Sequence, residues 1–154
     1  MPTLYLTNVS KRSQHGPGRR LSAMALPKVP SHHGDGKVPN AMPNADALRA
    51  VQKEWITEDE YRDRCVNRFG VFASIGRYAP GNLRAVIHAS KSADGRAYDS
   101  PVADGDTLFC SCACPDSPLR KHSFCHLELL APFLVAAGWD VVLYGKPFNP
   151  TNPE

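Results

Sequence analysis

The chain has 154 residues, of which 42% are hydrophobic and 21% are charged, and it carries a net charge of +3. These values are typical of a chain that folds around one core. They exclude a wholly disordered or fibrous protein and predict a single domain over residues 1–154. No stretch approaches the ~20 apolar residues that span a bilayer, and the first apolar segment precedes the first charges instead of following them as in an export signal. We therefore expect a cytoplasmic protein without a membrane partner.

The positive charge is concentrated near the N-terminus. Residues 1–40 contain six basic side chains and one acid, whereas residues 41–154 contain 12 basic side chains and 14 acids. A local excess of positive charge favours an anionic partner, either a small molecule or a nucleic acid. A loop kept in solution by its charges would show the same pattern, and nothing in the sequence indicates the oligomeric state.

The N-terminal third predicts one strand and a long loop. Residues 4–9 alternate apolar and polar side chains and include β-branched and aromatic types, which is typical of a strand. Residues 10–44 form a long basic loop rich in proline and glycine, with room for a short strand over residues 20–24. Loops of this length in compact domains are usually functional or disordered.

Two helices are predicted in the middle of the chain. Asn44 is a suitable N-cap for a helix over residues 45–53. Thr57 begins a capping box for a second helix that runs to about residue 69. The apolar stripe of this second helix places Cys65 in the core.

The segment after the second helix has the least regular pattern. Residues 83–89 fit either a short strand or a helical turn. Residues 92–106 are polar and are predicted as a loop.

The C-terminal third predicts a strand, a helix and a second strand over residues 107–145. Residues 107–112 begin with the β-branched and aromatic side chains of a buried strand. Ser123 is the expected N-cap of a helix over residues 124–137, and residues 139–144 are apolar again. This order predicts a parallel βαβ unit. With the first strand added, we expect an α/β fold, a small Rossmann-like three-layer sandwich with a mostly parallel sheet.

Several chemically active side chains follow predicted strands. The carboxyl ends of parallel strands meet at one edge of a sheet, where ligands of open α/β proteins bind. The basic loop, the cysteine-rich end of the 107–112 strand and the start of the C-terminal helix should therefore meet there. The arginines are expected to contact phosphate. The candidate ligand-binding residues are Asn8, His15, Arg19, Arg20, Cys110 and Cys112.

Cys125 and His126 are the candidate catalytic residues. At the start of a helix, unpaired backbone N–H groups and the helix dipole stabilise a thiolate and attract anions. A neighbouring histidine can take up or release a proton near neutral pH. Packing of the thiol in the core, with the histidine bound to a backbone carbonyl, is the structural alternative.

The catalytic interpretation of Cys125 and His126 predicts no cofactor. The cysteines also support an alternative interpretation, in which they bind zinc. The candidate zinc ligands are Cys110, Cys112, Cys114 and Cys125, with His122 and His126 nearby. A C-x-C pair followed by cysteine and histidine resembles the SWIM type of zinc finger, which ends in Cys-x-His. Because Cys125 and His126 are adjacent, one ion is not expected to bind both.

The C-terminal segment, GDTLFCSCAC followed by FCHLELLAPFLVAAGWDVVLYG, resembles the bacterial and phage "domain of unknown function four-eight-eight" family. The opening TLYLTNV and its basic loop are similar to that family too. The resemblance implies a Rossmann-like sheet and no established reaction, and its matching positions are Cys110, Cys125 and His126. Leu127 stands where the family has arginine, so Arg120 or Lys121 is the candidate substitute for an anion contact.

Three functional hypotheses follow. The leading one is a small α/β protein that binds a nucleotide, a nucleic acid or another phosphate-bearing ligand at the strand-end cleft, with Cys125 and His126 lining the reactive centre. Whether it also acts on that ligand as an enzyme stays open at this point. The second is an interaction module stabilised by zinc. The third is a phage or mobile-element protein that binds a host partner through its long N-terminal loop.

Overall fold

Parallel strands form the centre of one eight-stranded sheet. The computed structural model describes residues 1–8, 11–24, 35–88, 97–110 and 124–148. The strands in this part of the chain are β1 (Thr3–Asn8), β2 (Arg20–Ser22), β3 (Gly36–Lys37), β4 (Arg84–His88), β5 (Ala97–Pro101), β6 (Thr107–Cys110), β7 (Asp140–Leu143) and β8 (Lys146–Pro147). The helices are α1 (Ala45–Gln52), α2 (Glu58–Ser74) and α3 (His126–Ala136).

The strand order confirms the prediction of a mostly parallel sheet. The order is β5-β4-β3-β2-β6-β1-β7-β8. The five adjacent strands β3, β2, β6, β1 and β7 run parallel. The outer pairs β3–β4, β4–β5 and β7–β8 are antiparallel. The carboxyl ends of β1, β2 and β6 therefore meet at one edge, which we call the carboxyl edge.

The C-terminal third forms the expected strand, helix and strand, with β1 between β6 and β7. Helix α3 begins at His126, two residues later than the sequence predicts. Cys125 is its N-cap, with φ −109° and ψ 145°, so its backbone is still extended. The expected cap, Ser123, lies outside the described residues.

The two central helices begin where the sequence predicts. The Asn44 side chain accepts a hydrogen bond from the backbone N–H of Ala47 at 3.0 Å. The Thr57 hydroxyl accepts one from the N–H of Glu60 at 3.1 Å. These side chains satisfy N–H groups that have no partner within the helix. Helix α2 continues to Ser74, five residues beyond its expected end.

The three-layer sandwich is not confirmed. Helix α1 packs on α2 and α2 packs on α3, so the three helices form one layer. The other face of the sheet, which carries Tyr5 and Thr107, is covered by residues 11–18: the N–H of Gly16 donates to the Thr107 hydroxyl at 2.8 Å. No second helical layer occurs within the residues described here, and none of their helices has the length and apolar content needed to cross a bilayer.

Strand β5 lies in the segment that the sequence predicts to be a polar loop. It pairs antiparallel with β4 at the edge of the sheet, and Arg84 Nη2 lies 2.6 Å from Asp99 Oδ2 across the pair. An edge strand satisfies its backbone on one side only and leaves its side chains exposed. Its sequence therefore lacks the apolar alternation that identifies a half-buried strand.

Candidate functional site

Two thiols and one imidazole meet at the carboxyl edge. Cys110 is the last residue of β6, Cys125 caps α3 and His126 is the first residue of that helix. Their exposed fractions are 3%, 1% and 4%, respectively. The metal-ligating atoms of the three side chains all lie within 4.8 Å of one another. We call this group the Cys-Cys-His cluster.

The ring of His126 has a defined orientation. Its Nε2 atom lies 2.8 Å from the backbone carbonyl oxygen of Ala23, the first residue after β2. A carbonyl only accepts hydrogen bonds, so Nε2 carries the proton. In the neutral ring the lone pair is then on Nδ1, which lies 3.9 Å from Cys125 Sγ. Histidines that bind metals usually donate their other ring N–H in this way.

The positions of Cys125 and His126 are compatible with a shared ion, which the sequence did not lead us to expect. Standard Zn–S and Zn–N bond lengths in a tetrahedral site place sulfur and nitrogen about 3.6 Å apart. The observed separation of 3.9 Å is close to this value. Adjacent residues achieve it because Cys125 is extended while His126 is already helical, which turns both side chains toward the same point.

The start of α3 is stabilised by an acidic side chain. Glu128 Oε2 accepts a hydrogen bond from the backbone N–H of Cys125, as in a capping box. This bond fixes the backbone that carries both Cys125 and His126. Glu128 is not among the predicted site residues, although an acid three residues after the N-cap is a recognised helix-start signal.

Asn8 is the predicted ligand-binding residue that lies beside the cluster. It ends β1, is 3% exposed and is in register with Cys110 on the adjacent strand. Side chains in register on parallel strands share a face of the sheet. Cys112, Cys114 and His122, the other predicted ligands, lie outside the described residues.

Arg19 is not brought to the cluster. It precedes β2, and its guanidinium donates to Asp106 Oδ2 from Nη2 at 2.8 Å and from Nε at 3.2 Å. The same group also donates to Ser100 Oγ at 3.1 Å and to the carbonyl of Pro101 at 2.8 Å. Because β2 and β6 run parallel, their first residues lie at the edge opposite the carboxyl edge. The expected meeting of Arg19 with the cysteines does not occur.

His15 and Arg20 lie together, but on the other face of the sheet. Arg20 is in register with Thr107, and its guanidinium lies 5.4 Å from the centre of the Phe109 ring. Phe109 and Cys110 are consecutive in β6, so their side chains point to opposite faces. His15 accepts from Arg20 Nε through Nδ1 at 3.2 Å, and its Nε2 donates to the carbonyl of Asn8 at 2.9 Å.

Cys65 is separate from the cluster, and its prediction as a core residue is confirmed. It is 1% exposed on the inner face of α2. Burial raises the pKa of its thiol from 9.0 to about 11, because the apolar surroundings disfavour the charged form. This thiol is therefore neutral at physiological pH and has no neighbouring ligand to share a metal with in the part of the chain described here.

The structure shows the structural alternative for these two residues: Cys125 is 1% exposed, and His126 is hydrogen-bonded to a backbone carbonyl. The sequence could not identify that carbonyl as the one of Ala23. Every non-proline residue has a carbonyl and an N–H group, so no residue type marks a backbone acceptor.

Comparison of the chain with protein-family models, with curated proteins and with solved structures gives no match.

Proposed function

We propose that this chain is a metal-binding α/β protein in which Cys110, Cys125 and His126 hold one zinc-type ion at the carboxyl edge. The observation that carries the proposal is the hydrogen bond between His126 Nε2 and the carbonyl of Ala23. In the neutral ring it leaves the lone pair on Nδ1, beside Cys125 Sγ and in a group that also contains Cys110, which is the arrangement of a metal-ligating histidine.

The donor set favours zinc over a hard cation. Two sulfurs and one imidazole nitrogen suit zinc and other soft or borderline transition metals, whereas calcium and magnesium take oxygen ligands. The burial of all three side chains leaves little room for a shell of waters around a hard ion. The ion would neutralise the two thiolates and keep the charges paired in the core.

The position of the ligands suggests what the ion does for the fold. Cys110 ends β6 and Cys125 begins α3, so an ion held by both closes the connection between these elements. Closing a connection restricts the unfolded chain and stabilises the folded one. Cys112, Cys114 and His122 lie within this connection in the sequence and are the candidate fourth ligands. The proposed protein is a zinc-stabilised interaction module in which these cysteines are structural.

Metal analysis of the full chain tests the proposal. Protein purified without chelators should hold one zinc ion per chain, and Cys110→Ser or Cys125→Ser should lose it. Cys65→Ser is the matched control, because it removes an equally buried thiol outside the cluster. Addition of Co²⁺ to the metal-free protein should produce the absorption of a tetrahedral thiolate site. Unchanged metal content in the Cys125→Ser variant would contradict the assignment.

A second candidate function uses the same atoms as a reactive centre. The specific support is the 3.9 Å separation between Cys125 Sγ and His126 Nδ1 at the start of a helix. In this alternative Nδ1 takes the thiol proton, and Cys125 acts as a nucleophile on a phosphate-bearing ligand at the carboxyl edge. We also propose that the chain belongs to the "domain of unknown function four-eight-eight" family. The sequence resemblance is the support for this membership.

Thiol labelling separates the two candidates. In the metal-free folded protein, an activated Cys125 should react with iodoacetamide near neutral pH much faster than Cys65, whose raised pKa keeps it protonated. Equal, slow labelling of both thiols would contradict the reactive-centre proposal. Metal analysis decides independently whether the thiols are held by an ion in the protein as purified.

A further inference from the structure

We infer that Cys110 and Cys125 form a modification site, a reversible disulfide produced by a hydroperoxide, and that this disulfide displaces the bound ion. The displacement rests on the proposed function, whereas the pairing of the two thiols rests on their positions alone. Hydroperoxide is the chemical class of the oxidant.

The two sulfur atoms are already close to each other. They lie within 4.8 Å in a group that is almost fully buried. A disulfide requires a sulfur–sulfur distance of about 2.0 Å. Rotation about one Cα–Cβ bond between staggered rotamers moves a sulfur by about 3 Å, which is comparable with the gap that must close.

The third described thiol cannot compete for this pairing. Cys65 lies on the inner face of α2 and is absent from the Cys-Cys-His cluster. Its pKa, raised to about 11, keeps it in the unreactive protonated form. The geometry therefore selects one pair among the described cysteines. Cys112 and Cys114 are the sequence neighbours whose pairing the experiment must distinguish.

The oxidation balances with one hydroperoxide. Two thiolates, one molecule of hydrogen peroxide and two protons give one disulfide and two waters. Each sulfur loses one electron, and the O–O bond of the peroxide accepts both. In the protein that binds zinc, the oxidation occurs in the metal-free fraction, and the disulfide prevents the ion from binding again, because a disulfide sulfur is no longer a thiolate ligand. A thiol reductant reverses the modification by thiol–disulfide exchange.

The bound ion should protect the thiols by mass action. With free zinc at about ten times its Kd, roughly a tenth of the protein is metal-free, so the oxidation rate should fall about tenfold. This relation distinguishes oxidation through the metal-free form from direct attack on the bound thiolates.

The experiment treats the full chain with hydrogen peroxide in two arms, one metal-free and one loaded with zinc. Peptide mapping without reduction should find a peptide pair joined through Cys110 and Cys125, and dithiothreitol should separate it. In the zinc arm, the disulfide should form about tenfold more slowly when free zinc is at ten times its Kd. Metal analysis after removal of the free zinc should find one bound zinc lost for each disulfide formed. Cys65→Ser should behave as wild type, whereas Cys110→Ser should form no such pair.

The two arms fail separately. Absence of the Cys110–Cys125 pair in the metal-free arm, or its replacement by pairs with Cys112 or Cys114, overturns the inference even if zinc binds. Absence of zinc uptake overturns the proposed function and the displacement, while the metal-free arm still tests the pairing. A disulfide that forms without release of zinc overturns the displacement. Mapping of the wild-type chain needs no variant, so a misfolded variant cannot obscure the result.

Discussion

The imidazole of His126 is hydrogen-bonded to the carbonyl of Ala23, 103 residues earlier in the chain, at 2.8 Å. This bond joins the start of α3 to the end of β2. It also leaves Nδ1 as the ring nitrogen beside Cys125 Sγ. One contact therefore contributes to both the packing of the fold and the chemistry of the cluster, and two substitutions can separate these contributions.

Glutamine and asparagine at position 126 each preserve one half of the imidazole. In His126→Gln the amide nitrogen reaches the place of Nε2 and keeps the bond to Ala23, but the Nδ1 ligand is lost. We expect near-normal stability of the metal-free protein and much weaker zinc binding. In His126→Asn the Ala23 carbonyl loses its partner, and we expect the metal-free protein to lose about 1–3 kcal/mol. Chemical denaturation and zinc titration check both, and equal stability of the two variants would contradict this division.

The ion pair between Arg19 and Asp106 should be a structural contact. The Asp106 side chain is 3% exposed and also accepts from the backbone N–H groups of Arg19 and Ala103, each at 2.9 Å. Arg19→Ala leaves that carboxylate buried without its cation, so we expect a loss of about 2–3 kcal/mol in the free energy of unfolding.

The matched control for this prediction is Arg49→Ala. Arg49 pairs with Asp46 at 3.2 Å, but both side chains are largely exposed, so its loss should cost no more than about 0.5 kcal/mol. Urea denaturation of the two variants makes the comparison. Similar stability of the two variants would show that the Arg19–Asp106 pair contributes little to the free energy of unfolding. Arg19 would then again be a candidate for contact with a ligand.

Two glycine-to-alanine substitutions should have opposite effects. At Gly16 a Cβ would lie 2.3 Å from the Gly105 carbonyl oxygen and from the Tyr5 ring, so Gly16→Ala must displace the segment that covers the sheet. We expect a loss of about 1–3 kcal/mol. Gly70 lies inside α2, where a Cβ would meet only the Phe133 ring at 4.0 Å. Gly70→Ala should therefore raise stability by about 0.5–1 kcal/mol. Melting temperatures of the two variants test the sign of each change.

Cys65 should make the protein less stable at alkaline pH. Between pH 9.0 and about 11 the unfolded chain ionises this thiol, whereas the folded chain retains its proton. The folded state thus binds more protons in this window, so the free energy of unfolding falls as pH rises through it. The fall due to Cys65 amounts to about 2–3 kcal/mol.

Cys65→Ala isolates this contribution. Burial also raises the pKa of Tyr78, which adds to the alkaline loss of stability in both proteins. The difference between wild type and variant therefore belongs to Cys65. Guanidinium denaturation at a series of pH values from 8 upward should show a shallower decline in the variant. Parallel curves would mean that the thiol does not titrate with the raised pKa.

The sequence determined the features that depend on neighbouring residues. Asn44 and Thr57 predicted the starts of α1 and α2, because a cap satisfies N–H groups only three residues away. The apolar alternation near Leu6 and the buried run near Leu108 predicted β1 and β6, because a strand within a sheet repeats every two residues. The placement of Cys125 and His126 at a helix start followed from the same local signals, with an error of two residues.

Tertiary structure decided the contacts between residues that are distant in the chain. Arg19 was predicted to bind phosphate, but Asp106 engages it, because β2 and β6 pair with their first residues side by side. The position of Arg20 on the other face of the sheet depends on strand register, and a shift of one residue would reverse it. The meeting of Cys110 with Cys125 and His126 required the return of the chain from β6 to α3 and the carbonyl of Ala23. A backbone acceptor carries no side-chain signature, so only the folded arrangement could reveal it.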